Sequence, residues 1–107
     1  MAQTQWLMND IVSFSEERDC DQFHSPVHLA KSIAIEAAEL LERFQWSDED
    51  SLNEVEEELA DVLNYCFQLT AKLNLEPEEI VRKKMTVNAA KYPVEKSRGK
   101  SKIYDQL

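Results

Sequence analysis

The sequence predicts an all-α, four-helix fold whose helices pack into a dimeric or tetrameric bundle. Three observations predict it. The 107 residues include one glycine and three prolines, too few turn-formers for a sandwich or barrel. Apolar residues recur with helical spacing along the chain. Capping signals mark where these segments start and stop. This length makes one domain, residues 1–107, with about 92–107 as a C-terminal tail. A chain this short often gains stability by burying further surface in an oligomer.

The first helix is expected from about Thr4 to Arg18. Leu7, Ile11 and Phe14 recur at i, i+4 and i+7, with Thr4 as N-cap. It stops in Asp19-Cys20-Asp21. Ser25 as N-cap and Pro26 at the first helical position open the second helix. That helix runs to about Gln45 on an inner stripe of Leu29, Ile33, Leu40 and Phe44, and Trp46 closes it. Ser51-Leu52-Asn53-Glu54 fits a capping box, and the third helix runs on to about Leu73. Its Leu59, Leu63 and Phe67 point away from the stripe of Val55, Val62, Tyr65 and Leu69. A helix apolar on two sides is buried on two sides, which points to packing against another subunit. Pro77 opens the fourth helix, where Glu78 and Glu79 suit the positive end of the dipole. Tyr92-Pro93 ends it after Lys91, and Val94 to Leu107 forms the tail.

Composition narrows the function. No apolar run approaches the ~20 residues of a membrane span, and Met1-Ala2-Gln3-Thr4-Gln5 lacks the features of a signal peptide. Cys20 and Cys66 are too few for a disulfide framework or a zinc site and read as reduced thiols of a cytoplasmic protein. The net charge of −9 is unevenly spread: residues 1–81 hold nineteen acids and four bases, residues 82–107 two acids and eight bases. An acidic body with a basic tail is unsuited to general nucleic-acid binding. It suits a polyanion held through metal ions on one side and Lys/Arg on the other.

Within that body stand two acid pairs, Glu36/Glu39 and Glu58/Asp61. Each pair is spaced i, i+3 and so shares a helix face. Glu36 lies close in angle to Leu29, Ile33 and Leu40; Glu58 and Asp61 lie close to Val55, Val62, Tyr65 and Leu69. The pairs therefore border interior stripes. Glu42, Asp48, Glu49, Asp50, Glu56 and Glu57, by contrast, read as a solvated face, and Glu54 as part of the capping box. At 4 Å, two like charges repel by about 4 kcal/mol at an effective dielectric near 20. Four converging acids thus need protons or cations, and divalent cations are the better answer at neutral pH. An all-oxygen donor set selects hard ions, Mg²⁺ with Mn²⁺ as a substitute. A di-iron bundle would need Glu-x-x-His pairs, and the two i+3 positions are Glu39 and Asp61. His28 reads as a surface helix residue.

The chain resembles the all-α nucleoside triphosphate pyrophosphatases of the MazG-like superfamily, in the small single-domain branch that includes dCTP pyrophosphatase. E-x-x-E followed by E-x-x-D falls on Glu36, Glu39, Glu58 and Asp61. Glu17-Arg18-Asp19 with Gln22-Phe23-His24-Ser25-Pro26 looks like the family's N-terminal signature. Phe44-Gln45-Trp46, Tyr65, Lys84, Asn88, Lys91-Tyr92-Pro93-Val94 and Ser97-Arg98-Gly99 extend the likeness almost to the end.

What the resemblance implies is Mg²⁺-dependent hydrolysis between the α and β phosphates, giving a monophosphate and pyrophosphate from a (deoxy)nucleoside triphosphate. It implies a metal site of Glu36, Glu39, Glu58 and Asp61, with Glu39 as the residue that orients or deprotonates water. Lys84, Asn88, Lys91 and Arg98 would contact phosphates. His24, Trp46 and Tyr65 would contact the base, which the family likeness suggests is cytosine or another base of a deoxynucleotide pool. A homodimer or homotetramer is implied, with no nucleic-acid or membrane partner. Cys20 and Ile11 replace residues of the family's dCTP-specific wall, which allows a broader pocket. The competing reading is a non-catalytic helical oligomerisation or regulatory module, which would need neither acids on apolar stripes nor a basic fourth helix.

Overall fold

The computed structural model describes residues 2–18, 25–46 and 52–94. These form four helices: α1 (Ala2–Glu17), α2 (Pro26–Trp46), α3 (Leu52–Lys72) and α4 (Pro77–Lys91). No strand occurs among the described residues. The chain divides into two compact units, Met1–Glu76 with α1 to α3 and Pro77–Leu107 with α4. Among the described residues no helix is long and apolar enough to cross a membrane.

Local chemistry fixes the helix ends. The Ser25 hydroxyl accepts a hydrogen bond from the His28 backbone N–H at 3.2 Å, satisfying one of the unpaired donors of the first turn. Pro26 follows as the first residue of α2. At the far end of α3, the Leu75 N–H donates to the Thr70 carbonyl at 2.8 Å and the Asn74 N–H to the Ala71 carbonyl at 3.1 Å. This is a Schellman motif, and its left-handed position is filled by Asn74 at φ 60°. Asparagine tolerates that region better than most residues. α1 starts at Ala2, so Thr4 stands inside the first turn and does not cap it. Ser51 of the expected capping box and the tail beyond Val94 lie outside the described residues.

In the first unit α2 packs along α3, and α1 meets α3 over a smaller area. Leu29 and Met8 are buried, as is Ser15. The inner face of α1 therefore runs through Met8 and Ser15, one residue round from the expected Leu7 and Phe14, both exposed. Leu7 and Phe14 border a cavity between α1 and α3, so the tertiary arrangement leaves them open to solvent. Phe44 also departs from the expected stripe, being 64% exposed. In that last turn it is Arg43 that reaches α3, drawn by acids on the facing helix. Leu52, Leu59 and Leu63 are exposed on α3, within about 40° of one another at helical spacing.

The second unit is described through α4 and the three residues that follow. Arg82 Nε donates to Glu78 Oε1 at 2.9 Å, one turn earlier. The Tyr92 N–H donates to the Asn88 carbonyl at 2.7 Å, closing the last turn.

Candidate active site

Helices α2 and α3 bring Glu36, Glu58 and Asp61 together, with one carboxylate oxygen from each within 4.8 Å of the others. The sequence dictates this locally. Glu36 shares the α2 stripe that buries Leu29, while Glu58 and Asp61 are an i, i+3 pair on the helix it packs against. Glu36 and Glu58 are half-buried and Asp61 is exposed. One oxygen of each half-buried acid, Glu36 Oε2 and Glu58 Oε2, is sealed from solvent without a protein hydrogen-bond partner.

Such a cluster is electrostatically expensive, and Glu36 registers it. A hydrogen bond with Glu39 holds its proton, burial disfavours the charged form, and the charges of Glu39, Asp61 and Glu58 add to the effect. Together they push its carboxyl from 4.5 up to about 7. Glu39 thus touches the cluster through Glu36 and is not one of the three converging acids.

Arg43 was not legible as a site residue in the sequence. Its Nη2 lies 3.4 Å from Glu58 Oε1 and its Nη1 3.7 Å from Glu54 Oε2. Seven residues after Glu36, it returns to the same face of α2. That spacing, with only four bases in residues 1–81, was the available signal.

Asp61 also borders a cavity of about 670 Å³ between α1 and α3. Ile11 and Phe14 wall it from α1; Asp61, Asn64, Tyr65 and Gln68 line it from α3. Tyr65 is half-buried there. Gln68 Nε2 donates to Asn64 Oδ1 at 3.3 Å, leaving an amide pair on an otherwise largely apolar wall. Neither amide was foreseen, although both recur from Asp61 at i+3 and i+7. His24 lies outside the described residues. Trp46 ends α2, and its side chain is likewise outside them.

On α4, Lys84, Asn88 and Lys91 follow one another at i, i+4 and i+7, and so share a side of the helix. Lys84 and Lys91 are exposed and Asn88 is half-buried. Lys91 Nζ stands 5.4 Å from the centroid of the Tyr92 ring. Arg98 lies outside the described residues.

The donor set fits a hard divalent cation. All the donors are oxygens, three of them converge, and two buried oxygens want a partner. A group with a pKa near 7 can release its proton to a cation at neutral pH.

Known proteins are clearly similar to this chain. The MazG-like family model matches residues 31–107. The dCTP pyrophosphatase 1 of Mus musculus is 36% identical over 104 residues, an alignment covering 88% of this chain and 61% of the relative. Its Homo sapiens counterpart is 34% identical over 104 residues, with the same coverage of 88% and 61%. The chain therefore spans about 61% of the length of these curated relatives. The crystal structure of a pyrophosphatase from Archaeoglobus fulgidus superposes with a TM-score of 0.78 at 39% identity, covering 85% of this chain and 93% of that one.

Proposed function

Because the chain belongs to the MazG-like family, we propose that it is a nucleoside triphosphate pyrophosphohydrolase, converting a deoxynucleoside triphosphate and water to the monophosphate and pyrophosphate. The observation that carries this reading is the junction at Asp61. It belongs both to a three-acid cluster with two sealed, unpartnered oxygens and to a cavity large enough for a nucleobase and sugar. A metal-binding acid that also borders a substrate-sized cavity is what phosphate chemistry on a nucleotide requires.

Glu36, Glu58 and Asp61 would hold Mg²⁺, with Mn²⁺ as a substitute. Glu39 would join them as a ligand or orient water. When bound, the ion supplies charge neutralisation of the triphosphate and activation of water. Tyr65 offers an aromatic face for stacking, worth about 1–3 kcal/mol, and His24 and Trp46 would complete the base contacts. Asn64 and Gln68 offer hydrogen-bonding groups for a base edge. Lys84, Asn88, Lys91 and Arg98 would contact phosphates. dCTP is the first candidate substrate, because the relatives from mouse and human are dCTP pyrophosphatases. The reading extends to a role in cleaning the nucleotide pool, in the cytoplasm.

Leu52 and Leu59, exposed on α3 beside the cavity-lining Leu63, support self-association as a homodimer or homotetramer. Apolar patches of this kind seldom face water in a soluble chain.

The test is product analysis. A panel of dNTPs and NTPs in Mg²⁺ is expected to yield monophosphate and pyrophosphate, with dCTP turned over best. Glu39→Gln should lose about 10²–10⁴-fold in rate, the usual contribution of a positioned acid or base, while keeping its helical content. Diphosphate and phosphate as products would overturn the reaction assigned. No turnover by folded, Mg²⁺-loaded protein would favour a non-catalytic helical module.

A further inference from the structure

Arg43 belongs to no motif of the metal site, yet it is the base that reaches the acid cluster from α2. Its contacts have a particular form. One terminal nitrogen goes to Glu58 at 3.4 Å and the other to Glu54 at 3.7 Å. A guanidinium that orients a carboxylate does so bidentately, with two short parallel bonds to one acid. Here the group is spread over two acids a helix turn apart, with one long hydrogen bond donated to Glu58 and an ion pair without a hydrogen bond to Glu54. The arrangement is weak as a clamp and suited to delivering charge. The Arg43 side chain is 40% exposed but Glu58 only 16%, so the interaction with Glu58 is partly shielded from water and salt.

We propose that Arg43 is the resident counter-ion of the acid cluster: it neutralises Glu58 before the metal arrives and competes with the metal for that carboxylate. This rests on the reading of Glu36, Glu58 and Asp61 as a metal site. Three acids whose oxygens lie within 4.8 Å of one another repel when unloaded, and Arg43 offsets part of that repulsion. A divalent cation offsets it more fully, and then stands close to a like-charged guanidinium. Arg43 therefore stabilises the metal-free protein more than the loaded one. By linkage, removing it must tighten metal binding by the same factor. The consequence for the enzyme is a site that folds without its metal and binds free Mg²⁺ weakly, so that the ion enters most readily with a nucleotide polyanion.

Three proteins separate this role from orientation: wild type, Arg43→Met and Arg43→Lys. Mg²⁺ affinity is measured by calorimetry without nucleotide, and the melting temperature is measured in chelator. Arg43→Met is expected to melt lower in chelator and to bind Mg²⁺ about 3–10-fold tighter, as loss of one nearby positive charge dictates. Arg43→Lys keeps the charge without the fork and should restore both values towards wild type. Weaker Mg²⁺ binding in Arg43→Met, unrescued by Lys, would overturn the proposal and make Arg43 an orienting clamp. An unchanged melting temperature in chelator, or unchanged Mg²⁺ affinity, would overturn it as well. Should Arg43→Met not fold without metal, Arg43→Gln and Arg43→Lys provide the same comparison with milder changes. Wild-type protein that binds no Mg²⁺ would instead remove the metal site itself, a failure that the calorimetry distinguishes from an unaltered Arg43→Met affinity.

Discussion

Glu36 holds its proton to about pH 7 in the folded chain, against 4.5 for a free glutamate. A group whose folded-state pKa is raised gives stability that is fully present below its unfolded pKa and lost as pH rises through the folded value. For the metal-free protein, the Glu36 contribution should therefore fall between about pH 4.5 and 7 and level off above. A metal held by this cluster would reverse the sign, because it would bind the ionised form and displace the proton. The melting temperature in chelator is expected to be lower at pH 8 than at pH 5.5, and the gain on adding Mg²⁺ to be larger at pH 8. At a hundredfold excess over Kd, a ligand confined to the folded state adds about 2.7 kcal/mol. A melting temperature in chelator that rises steadily from pH 5.5 to 8 would contradict the assignment of Glu36 as the strained acid. Glu36 was legible as a candidate from its place beside Leu29 and Ile33. That it would hold the proton was not, since this depends on the side-chain positions of Glu39, Glu58 and Asp61.

At the scale of the helix, the sharpest prediction concerns the end of α3. Asn74 at φ 60° allows the two backbone bonds that close the Schellman motif. A β-branched residue there would meet its own carbonyl, so Asn74→Val should destabilise by about 1–2 kcal/mol. Asn74→Gly should be close to neutral or stabilising, because glycine takes the left-handed region freely. Chemical denaturation of both variants checks this, and equal losses in both would show that the Asn74 side chain matters more than its backbone. The start and stop of α2 and α4 were readable because Ser25-Pro26, Pro77 and Tyr92-Pro93 act locally. α1 departs from its local signals at its start and on its inner face. Met8 and Ser15 turn inward, and Leu7 and Phe14 border a cavity, because the demand for shape between α1 and α3 outranks hydrophobicity at each position. In the last turn of α2, Arg43 pairs with Glu54 and Glu58 of α3, while Phe44 is exposed.

For the whole molecule, the exposed leucines of α3 are where self-association can be tested. Burying one leucine is worth about 1.5–3 kcal/mol, so putting a charge in its place should weaken a dimer by about tenfold to a hundredfold or more. Leu59→Glu is expected to shift the protein towards monomer in sedimentation experiments, with helical content retained. Leu59 does not line the cavity next to Asp61, so its effect on assembly separates from any effect on the pocket. A variant that sediments as wild type would place the subunit interface elsewhere.

Composition, cap residues and 3.6-residue periodicity were enough to determine an all-α chain of four helices and to place two acid pairs beside interior stripes. These are local properties: each depends on residues within a turn or two of one another. The tertiary structure decided which acids converge, that Glu39 joins through Glu36, that Arg43 brings a positive charge to Glu58, and that Asp61 faces a cavity walled by α1. Those features depend on distances between helices far apart in sequence. The side chains that set them are chosen by packing and charge across the α2–α3 and α1–α3 contacts, and no periodicity within a single helix encodes them.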